Sequence, residues 1–248
     1  MSVADLALTA MAALVIGLLI GTIGIGGVLL TPWLNQVIGL PVRDAIMISS
    51  FAFIGTGIAA LVVSARSLRG TGRVDWRLVG ATLPGALLGA WALSVIPGRI
   101  ALALLALLTI VVGLRVLFVH SRNHDRAPAR SAPELPIGVL TGFASAITGT
   151  GGPMVLTPIL LWRGVPMLAA ILLGQLVQLP IALTATAANL YLGGFDIGAG
   201  VAIGLMLVPG AFLGRRLAQA LPLRALGRIV GVTLIAAGIS FAIKATAA

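Results

Sequence analysis

The sequence predicts an all-α polytopic membrane protein made of two four-segment repeats, and three observations predict it. Hydrophobic residue types make up 59% of the 248 residues and charged types 9%. A soluble domain carries about 25% charged residues, so this chain has too few charges to cover a water-exposed surface. Apolar stretches of about 20 residues, long enough to cross a bilayer, are separated by short polar breaks. Finally, glycine and proline motifs recur at a spacing of 125 residues.

The two repeats are recognised by glycines and prolines that coincide when the sequence is shifted by 125 residues. Internal repetition fixes the number of structural units, so it is read before any single motif. Chance does not align so many glycines and prolines at one offset. The coinciding pairs, first repeat against second, are Gly24/Gly149, Gly26/Gly151, Gly27/Gly152, Gly39/Gly164, Pro41/Pro166, Pro84/Pro209, Gly85/Gly210, Gly89/Gly214, Pro97/Pro222, Arg99/Arg224 and Gly113/Gly238.

Each repeat contains four hydrophobic segments, and a polar stretch joins the repeats. Repeat 1 covers residues 1–118, a cytoplasmic linker covers 119–135, and repeat 2 covers 136–248, all within one integral membrane domain. The prolines and charges of the linker are typical of a connecting loop. The segments lie at about 5–34, 43–64, 77–96 and 99–118 in repeat 1, and at about 136–162, 166–191, 197–216 and 224–244 in repeat 2.

The first segment of each repeat contains clustered glycines followed by a proline, GTIGIGGVLLTP in repeat 1 and ITGTGGPMVLTP in repeat 2. Such clusters break a helix. Two structures fit them. One is a kinked helix that crosses the membrane with close glycine packing; the other is a re-entrant pair of half-helices that meet at the glycines. Broken backbone at membrane depth is tolerated where it is buried in protein or lines a cavity.

The distribution of basic residues favours the re-entrant structure. If all eight segments cross the membrane, the 16 Lys and Arg residues divide 9 to 7 between the two sides. If the first segment of each repeat enters and leaves on one side, 13 lie on the cytoplasmic side and 3 outside, namely Arg43, Arg99 and Lys244. The positive-inside rule favours the second division. Three crossings per repeat make the repeats inverted relative to each other, a recurring transporter design.

Composition excludes several classes of function. The chain has no cysteine, and its two histidines, His120 and His124, share one polar segment. We therefore expect no thiolate or intramembrane metal site and no cofactor. The net charge is +10. The basic residues that produce it lie between the apolar runs and form no continuous basic face, so nucleic-acid binding is not expected. No Ser/His pair or buried carboxylate pair lies within a span, which argues against an intramembrane enzyme.

At the glycine motifs the sequence resembles the sulfite exporter TauE/SafE family of membrane permeases. The family has two related halves, each opening with a Gly-x-Gly-Gly-Gly-x-x-x-x-Pro type of motif. Repeat 2 matches it from Gly149 to Pro158, with Pro153 in place of the third glycine; repeat 1 matches it from Gly24 to Pro32, one residue shorter. The Pro-Gly-Ala-x-Leu-Gly element also resembles the family's second signature. The resemblance implies transport of sulfite, sulfonates or related small anions across the cytoplasmic membrane.

The glycine clusters are the main candidate for a substrate site. The second half-helix of each repeat begins just after the glycines, where its first N–H groups lack intrahelical partners and the helix end carries about half a positive charge. Two such ends meeting near the midplane would bind an anion without a basic side chain. Neighbouring threonines either donate to the ligand or bond to their own helix. The candidates are Thr22, Gly24, Gly26, Gly27, Thr148, Gly149, Thr150, Gly151 and Gly152.

Two glutamines are the next candidates. Gln175 and Gln178 lie in an otherwise apolar span, LLGQLVQLPIAL, and share one helix face. Their counterparts in repeat 1 are Ser50, which follows Ser49, and Phe53. Buried amides must find partners, so these side chains contact either the substrate or neighbouring helices as interhelical hydrogen bonds.

The function predicted from these features is a secondary permease for a small anion, and the family resemblance implies export of a sulfur-containing anion such as sulfite or an organosulfonate. Sulfate or a small carboxylate would suit the same donors, and a non-transporting assembly subunit is the alternative of a different class. The duplicated broken segments argue against that subunit, because broken backbone in a bilayer is costly unless it serves a cavity. The expected partners are the anion and the lipid bilayer, and an oligomer is compatible with the sequence.

Overall fold

The computed structural model describes residues 3–24, 26–68, 76–118, 134–163, 165, 167–217 and 223–247, and these ranges contain helices and no strand. The all-α prediction is therefore confirmed for this part of the chain. Most of the predicted linker, together with His120 and His124, lies outside the described residues. The two predicted repeats and their boundaries remain predictions.

The first half of the chain contains five helical elements. Helix α1 covers Val3–Ile23. Element α2, residues 26–37, consists of a 3₁₀ turn at Gly26–Leu29, an α-helical turn at Leu30–Pro32 and a π-helical turn at Trp33–Val37. The longer helices that follow are α3 (Val42–Leu68), α4 (Trp76–Val95) and α5 (Gly98–Phe118).

The second half repeats this order of elements. A 15-residue helix, α6 (Glu134–Thr148), is followed by an 11-residue helix, α7 (Gly152–Trp162). Three longer helices then follow, α8 (Met167–Leu192), α9 (Ile197–Leu217) and α10 (Leu223–Ala247). The first predicted segment of each repeat is thus two helical pieces, with the break at the glycine cluster.

Positive backbone angles explain why glycine stands at these breaks. Gly24 has φ of 77°, Gly149 of 61° and Gly151 of 75°. This left-handed region is disfavoured for residues with a Cβ atom. The glycines thus let the chain leave one helix and begin the next within two or three residues.

Six helices are long and apolar enough to cross a membrane within the described residues: α3, α4, α5, α8, α9 and α10. Two shorter apolar stretches are Ala7–Thr22 within α1 and Glu134–Thr148, which is α6. Large hydrophobic side chains face outward from these helices, with Met11 68%, Leu107 62% and Leu205 63% exposed. An apolar outer surface of this kind suits contact with lipid rather than water.

Helices from the two halves pack in matching pairs, α1 against α9 and α6 against α4. A Cβ atom on Gly17 would lie 2.3 Å from the Leu207 carbonyl oxygen, and one on Gly142 would lie 2.1 Å from the Thr82 carbonyl oxygen. The two contacts are related by the 125-residue shift, since 17 corresponds to 142 and 207 to 82. The same shift relates the contact Gly210–Leu14 to Gly85–Val139, and Gly214–Leu18 to Gly89–Phe143.

Other glycine contacts fix the relative directions of the helices. Helices α5 and α10 run antiparallel, because Gly113 lies beside Gly231 whereas Ala106 lies beside Gly238. Helices α3 and α9 run in the same direction. Their contacts in order are Phe51 with Gly200, Ala52 with Gly204 and Gly55 with Val208.

Candidate functional site

A cavity lies between the two breaks, where α3 and α8 cross. It is narrow, with a water-accessible volume of about 10 Å³, close to the minimum that holds one water molecule. None of the described residues that line it is charged. The lining residues are Ile20, Gly24, Gly27, Phe53, Thr150, Pro153, Met154 and Gln178.

The first side of the cavity is the break between α1 and α2, which we call tip 1 (residues 24–27). The Gly24 N–H closes α1 by donating to the Ile20 carbonyl. The N–H groups of Gly26 and Gly27 have no described backbone partner outside their helix. Gly26 packs directly on α1, since a Cβ there would lie 2.5 Å from the Leu19 Cβ atom. Of the four candidate residues at this end of α1, Gly24 and Gly27 reach the cavity.

The second side is the break between α6 and α7, which we call tip 2 (residues 149–152). The Thr150 N–H donates to the Ser145 carbonyl, and the Gly151 and Gly152 N–H groups have no described backbone partner outside their helix. Pro153 stands in the first turn of α7, where its fixed φ suits the helix and its lack of an N–H removes one donor. Thr150 is the one tip 2 candidate that lines the cavity.

A hydrogen bond joins the two broken segments. The Thr31 hydroxyl of α2 lies 3.1 Å from the carbonyl oxygen of Gly149 in tip 2 and 3.1 Å from the Ser49 hydroxyl of α3. All three residues are buried. Ser49 therefore contacts Thr31 and does not line the cavity. Thr31, which sequence reasoning did not select, ties tip 2 to the first half of the protein through its bond to Gly149.

The two glutamines occupy different positions relative to the tips. Gln178 Nε2 donates to the Thr56 hydroxyl at 2.7 Å and lies 3.5 Å from the Phe53 carbonyl oxygen. Gln175 is 8% exposed, and no hydrogen bond of its amide is found within the described residues. Its Nε2 would lie 3.8 Å from a Cβ atom on Gly24. The Gln175 amide therefore stands beside tip 1 with its donors available.

Several candidate hydroxyls bond to their own helices instead of facing the cavity. Thr22 donates to the Leu18 and Leu19 carbonyls, at 3.0 and 3.2 Å. Ser50 donates to the Ile46 carbonyl at 2.9 Å. Back-bonding of this kind satisfies a hydroxyl proton within a helix.

Thr148 is also bonded within its helix. It donates to the Ala144 carbonyl, and its hydroxyl oxygen lies 2.8 Å from that of Thr150. Thr148 thereby positions Thr150, which lines the cavity. The cavity therefore receives one hydroxyl from the set predicted, together with the Gln178 amide and the backbone of the tips.

Sequence reasoning missed four apolar lining residues: Ile20, Phe53, Pro153 and Met154. One signal was available for Phe53, because it is the repeat 1 counterpart of Gln178 at the 125-residue shift. Pro153 lies within the glycine motif, where it replaces the third glycine. Ile20 and Met154 are hydrophobic residues among many, and no sequence pattern separates them from ordinary core positions.

The described lining of the cavity combines backbone of the tips with neutral polar and apolar side chains and contains no acid. The described residues contain no group of three or more His, Asp, Glu or Cys side chains that could hold a metal ion. Arg115 donates from Nη2 to the Pro158 carbonyl of α7 at 3.0 Å, which places a cation against the second half of the broken segment. Backbone and amide N–H groups in such surroundings suit an anion.

Within the described residues, six helices long and apolar enough to span a membrane, two broken segments and a cavity between them are features of a multi-pass membrane transporter. The comparisons with known proteins agree with this class. The profile of the sulfite exporter TauE/SafE family matches residues 10–241, and the chain belongs to that family. It is a multi-pass protein of the cell membrane and a transporter rather than an enzyme.

Relatives at moderate identity support the assignment. The chain is 34% identical over 180 residues to a probable inner membrane transporter protein TsaS of Comamonas testosteroni, an alignment that covers 68% of this chain and 72% of the relative. It is 31% identical over 175 residues to a probable membrane transporter protein of Xylella fastidiosa, covering 65% of each. An 85-residue match to the probable membrane transporter protein YtnM of Bacillus subtilis, at 38% identity, covers 32% of this chain and 28% of the relative. No solved structure matches the chain.

Proposed function

We propose that the protein is a permease that exports a small sulfur-containing anion, such as sulfite or an organosulfonate, across the cytoplasmic membrane. The observation that carries this proposal is the cavity between tips 1 and 2, whose described lining combines glycine backbone, Thr150 and Gln178 with four apolar residues and holds no charged side chain. The family's description as sulfite exporters supports the choice of anion.

The anion would be held by donors from both halves of the protein. The N–H group of Gly27, at the start of α2, supplies a backbone donor that lines the cavity, and the Gln175 amide beside tip 1 supplies donors from the second half. Hydrogen bonds to a charged acceptor contribute about 1.5–3 kcal/mol each. Neutral donors of this kind hold an anion without the tight ion pair that a buried arginine would form, which favours release on the other side.

We also propose that the two halves are inverted repeats, each with a re-entrant first segment. Equivalent helices run antiparallel when their two-fold axis lies in the membrane plane, and parallel when it lies along the membrane normal. Helices α5 and α10 are equivalent in the repeat, and their antiparallel contacts support an axis in the plane. Eight crossings would instead make these two helices run in the same direction.

The membrane potential is a sufficient driving force for export. An inside-negative potential expels a monovalent anion with about 2.3 kcal/mol per 100 mV. The apolar spans contain no midplane Asp, Glu or His, the groups that usually relay protons. We therefore propose a uniport mechanism that needs no proton or sodium gradient.

Purified protein in proteoliposomes tests the proposal. Labelled sulfite, methanesulfonate, sulfate and acetate are loaded inside, and an inside-negative potassium diffusion potential is imposed at equal pH without sodium. We expect efflux of sulfite or methanesulfonate in preference to the other anions. Preference for sulfate or acetate would change the substrate class. Binding can be measured separately, because a ligand at 100 times its Kd stabilises the folded protein by about 2.7 kcal/mol. Absence of flux for every anion, together with no anion-dependent thermal stabilisation, would favour a non-transporting subunit.

A further inference from the structure

Phe53 occupies the point where the two halves of the protein meet. Its carbonyl oxygen lies 3.5 Å from Nε2 of Gln178, its counterpart 125 residues later. Phe53 and Gln178 occupy the same position in the two repeats, and they are in contact. Equivalent positions meet where the two repeats face each other, so both residues lie at the centre of the molecule. At this centre the first repeat contributes an aromatic ring and the second an amide.

The ring of Phe53 lies between the two tips. A Cβ atom on Gly27 of tip 1 would be 3.0 Å from the ring Cζ atom and 3.1 Å from Cε1, and a Cβ on Gly151 of tip 2 would be 3.7 Å from Cδ2. Phe53 is 2% exposed. The ring therefore fills the space that both sets of backbone donors face.

The cavity left beside the ring is too small for the proposed substrates. Its water-accessible volume of about 10 Å³ holds about one water molecule, whereas sulfite has four heavy atoms and every organosulfonate has more. Entry of the anion requires something at the centre to move. Removing a large apolar side chain from a packed interior can open space for a molecule of the size of benzene.

The ring can change its rotamer without moving the main chain, whereas the glycine backbone around it is tied to neighbouring helices. Tip 1 is packed against α1 at Gly26, and tip 2 is packed against α3, since a Cβ on Gly149 would lie 2.8 Å from the Ile46 carbonyl oxygen. The hydrogen bond from Thr31 to Gly149 ties tip 2 to α2. The Phe53 side chain extends from α3, and the orientation of its ring is set by two torsions, χ1 and χ2.

We propose that Phe53 is the gate and the size filter of the anion site: its ring closes the space between the tips and must turn aside for an anion to reach the backbone donors. This inference rests on the proposed transport function and adds the residue that determines substrate size. The size of the side chain at position 53 then sets the largest anion that passes.

A size series of anions in proteoliposomes tests the gate. Efflux of sulfite, methanesulfonate, ethanesulfonate and butanesulfonate is measured for the wild type, Phe53→Leu and Phe53→Ala. We expect the butanesulfonate-to-sulfite ratio to rise at least tenfold in Phe53→Ala and less in Phe53→Leu. The matched control is Phe51→Ala. The Phe51 ring lies on the same helix, packs on Phe195 and does not line the cavity, so the butanesulfonate-to-sulfite ratio of this variant should stay at the wild-type value.

A double variant separates a gate from a merely structural ring. Gly27→Ala adds a methyl group against the Phe53 ring and should lower sulfite efflux at least tenfold, while Gly27→Ala/Phe53→Ala removes that contact and should restore it. An unchanged size ratio in folded Phe53→Ala and Phe53→Leu, or no restoration in the double variant, overturns the gate while wild-type transport stands. Wild-type protein that moves none of the four anions overturns the proposed function and the gate together.

Discussion

Replacing Gly151 with alanine separates the conformational role of tip 2 from its role in binding. At φ of 75° an alanine costs about 1–2 kcal/mol relative to glycine. The added Cβ would meet its nearest neighbours, on Phe53, Pro153 and Gln178, at 3.7–3.8 Å, which are ordinary contact distances. We therefore expect Gly151→Ala to fold and insert, with a free energy of unfolding lower by that strain alone.

The same methyl group would lie beside Phe53, Pro153 and Gln178, three residues that line the cavity. If it removes one hydrogen bond to the anion, worth about 1.5–3 kcal/mol, transport at low substrate concentration falls roughly 10- to 100-fold. Flux is measured in proteoliposomes, and stability by thermal unfolding in detergent.

Gly194 provides the matched control. It has φ of 72° in the turn between α8 and α9, and a Cβ there would have no neighbour within 4 Å. Gly194→Ala should therefore lose a similar amount of stability and keep its flux. Equal flux in the two variants would refute the assignment of tip 2 to the binding site, because backbone strain would then account for every effect.

Four further results are expected. Cysteines introduced at Leu68 and Ala220 should both react with a membrane-impermeant reagent from the cytoplasm, and one at Arg99 from outside; reaction of the first two from opposite sides would restore eight crossings. Gln175→Leu should lower anion affinity without lowering thermal stability, because no described hydrogen bond is lost, and unchanged affinity would remove this residue from the site. Thr31→Val should lower the free energy of unfolding by about 1–3 kcal/mol, since it leaves the Gly149 carbonyl buried and unpaired, and a variant as stable as the wild type would contradict the tie between tip 2 and α2. Flux that appears only with a proton or sodium gradient would exclude uniport.

The glycine and proline pattern was sufficient to predict the broken segments, because these residues act locally. Left-handed φ angles at Gly24, Gly149 and Gly151 are open to glycine at little cost. The long apolar helices also followed from the sequence, since the length and hydropathy of a segment depend on its own residues, whereas the choice of six crossings over eight rested on the distribution of basic residues. The matching helix contacts follow the same 125-residue spacing that the sequence shows.

The lining of the cavity could not be predicted with the same success, because it depends on side-chain directions and on contacts between distant segments. Thr22 stands two residues before Gly24, yet its hydroxyl proton goes to its own helix. Phe53 is one of seven phenylalanines, and only the crossing of α3 and α8 brings it between the tips. Thr31 reaches Gly149 across 118 positions of sequence.

The bond from Thr31 to the Gly149 carbonyl also bears on the sign of the ion that the protein accepts. Every break in a helix frees carbonyl oxygens as well as N–H groups, and free carbonyl oxygens at membrane depth are ligands for sodium or potassium. At tip 2 one such oxygen is covered by a hydroxyl of the other half of the protein. Covering it removes a partial negative charge from the neighbourhood of the cavity, so the remaining backbone dipoles favour anions and disfavour cations.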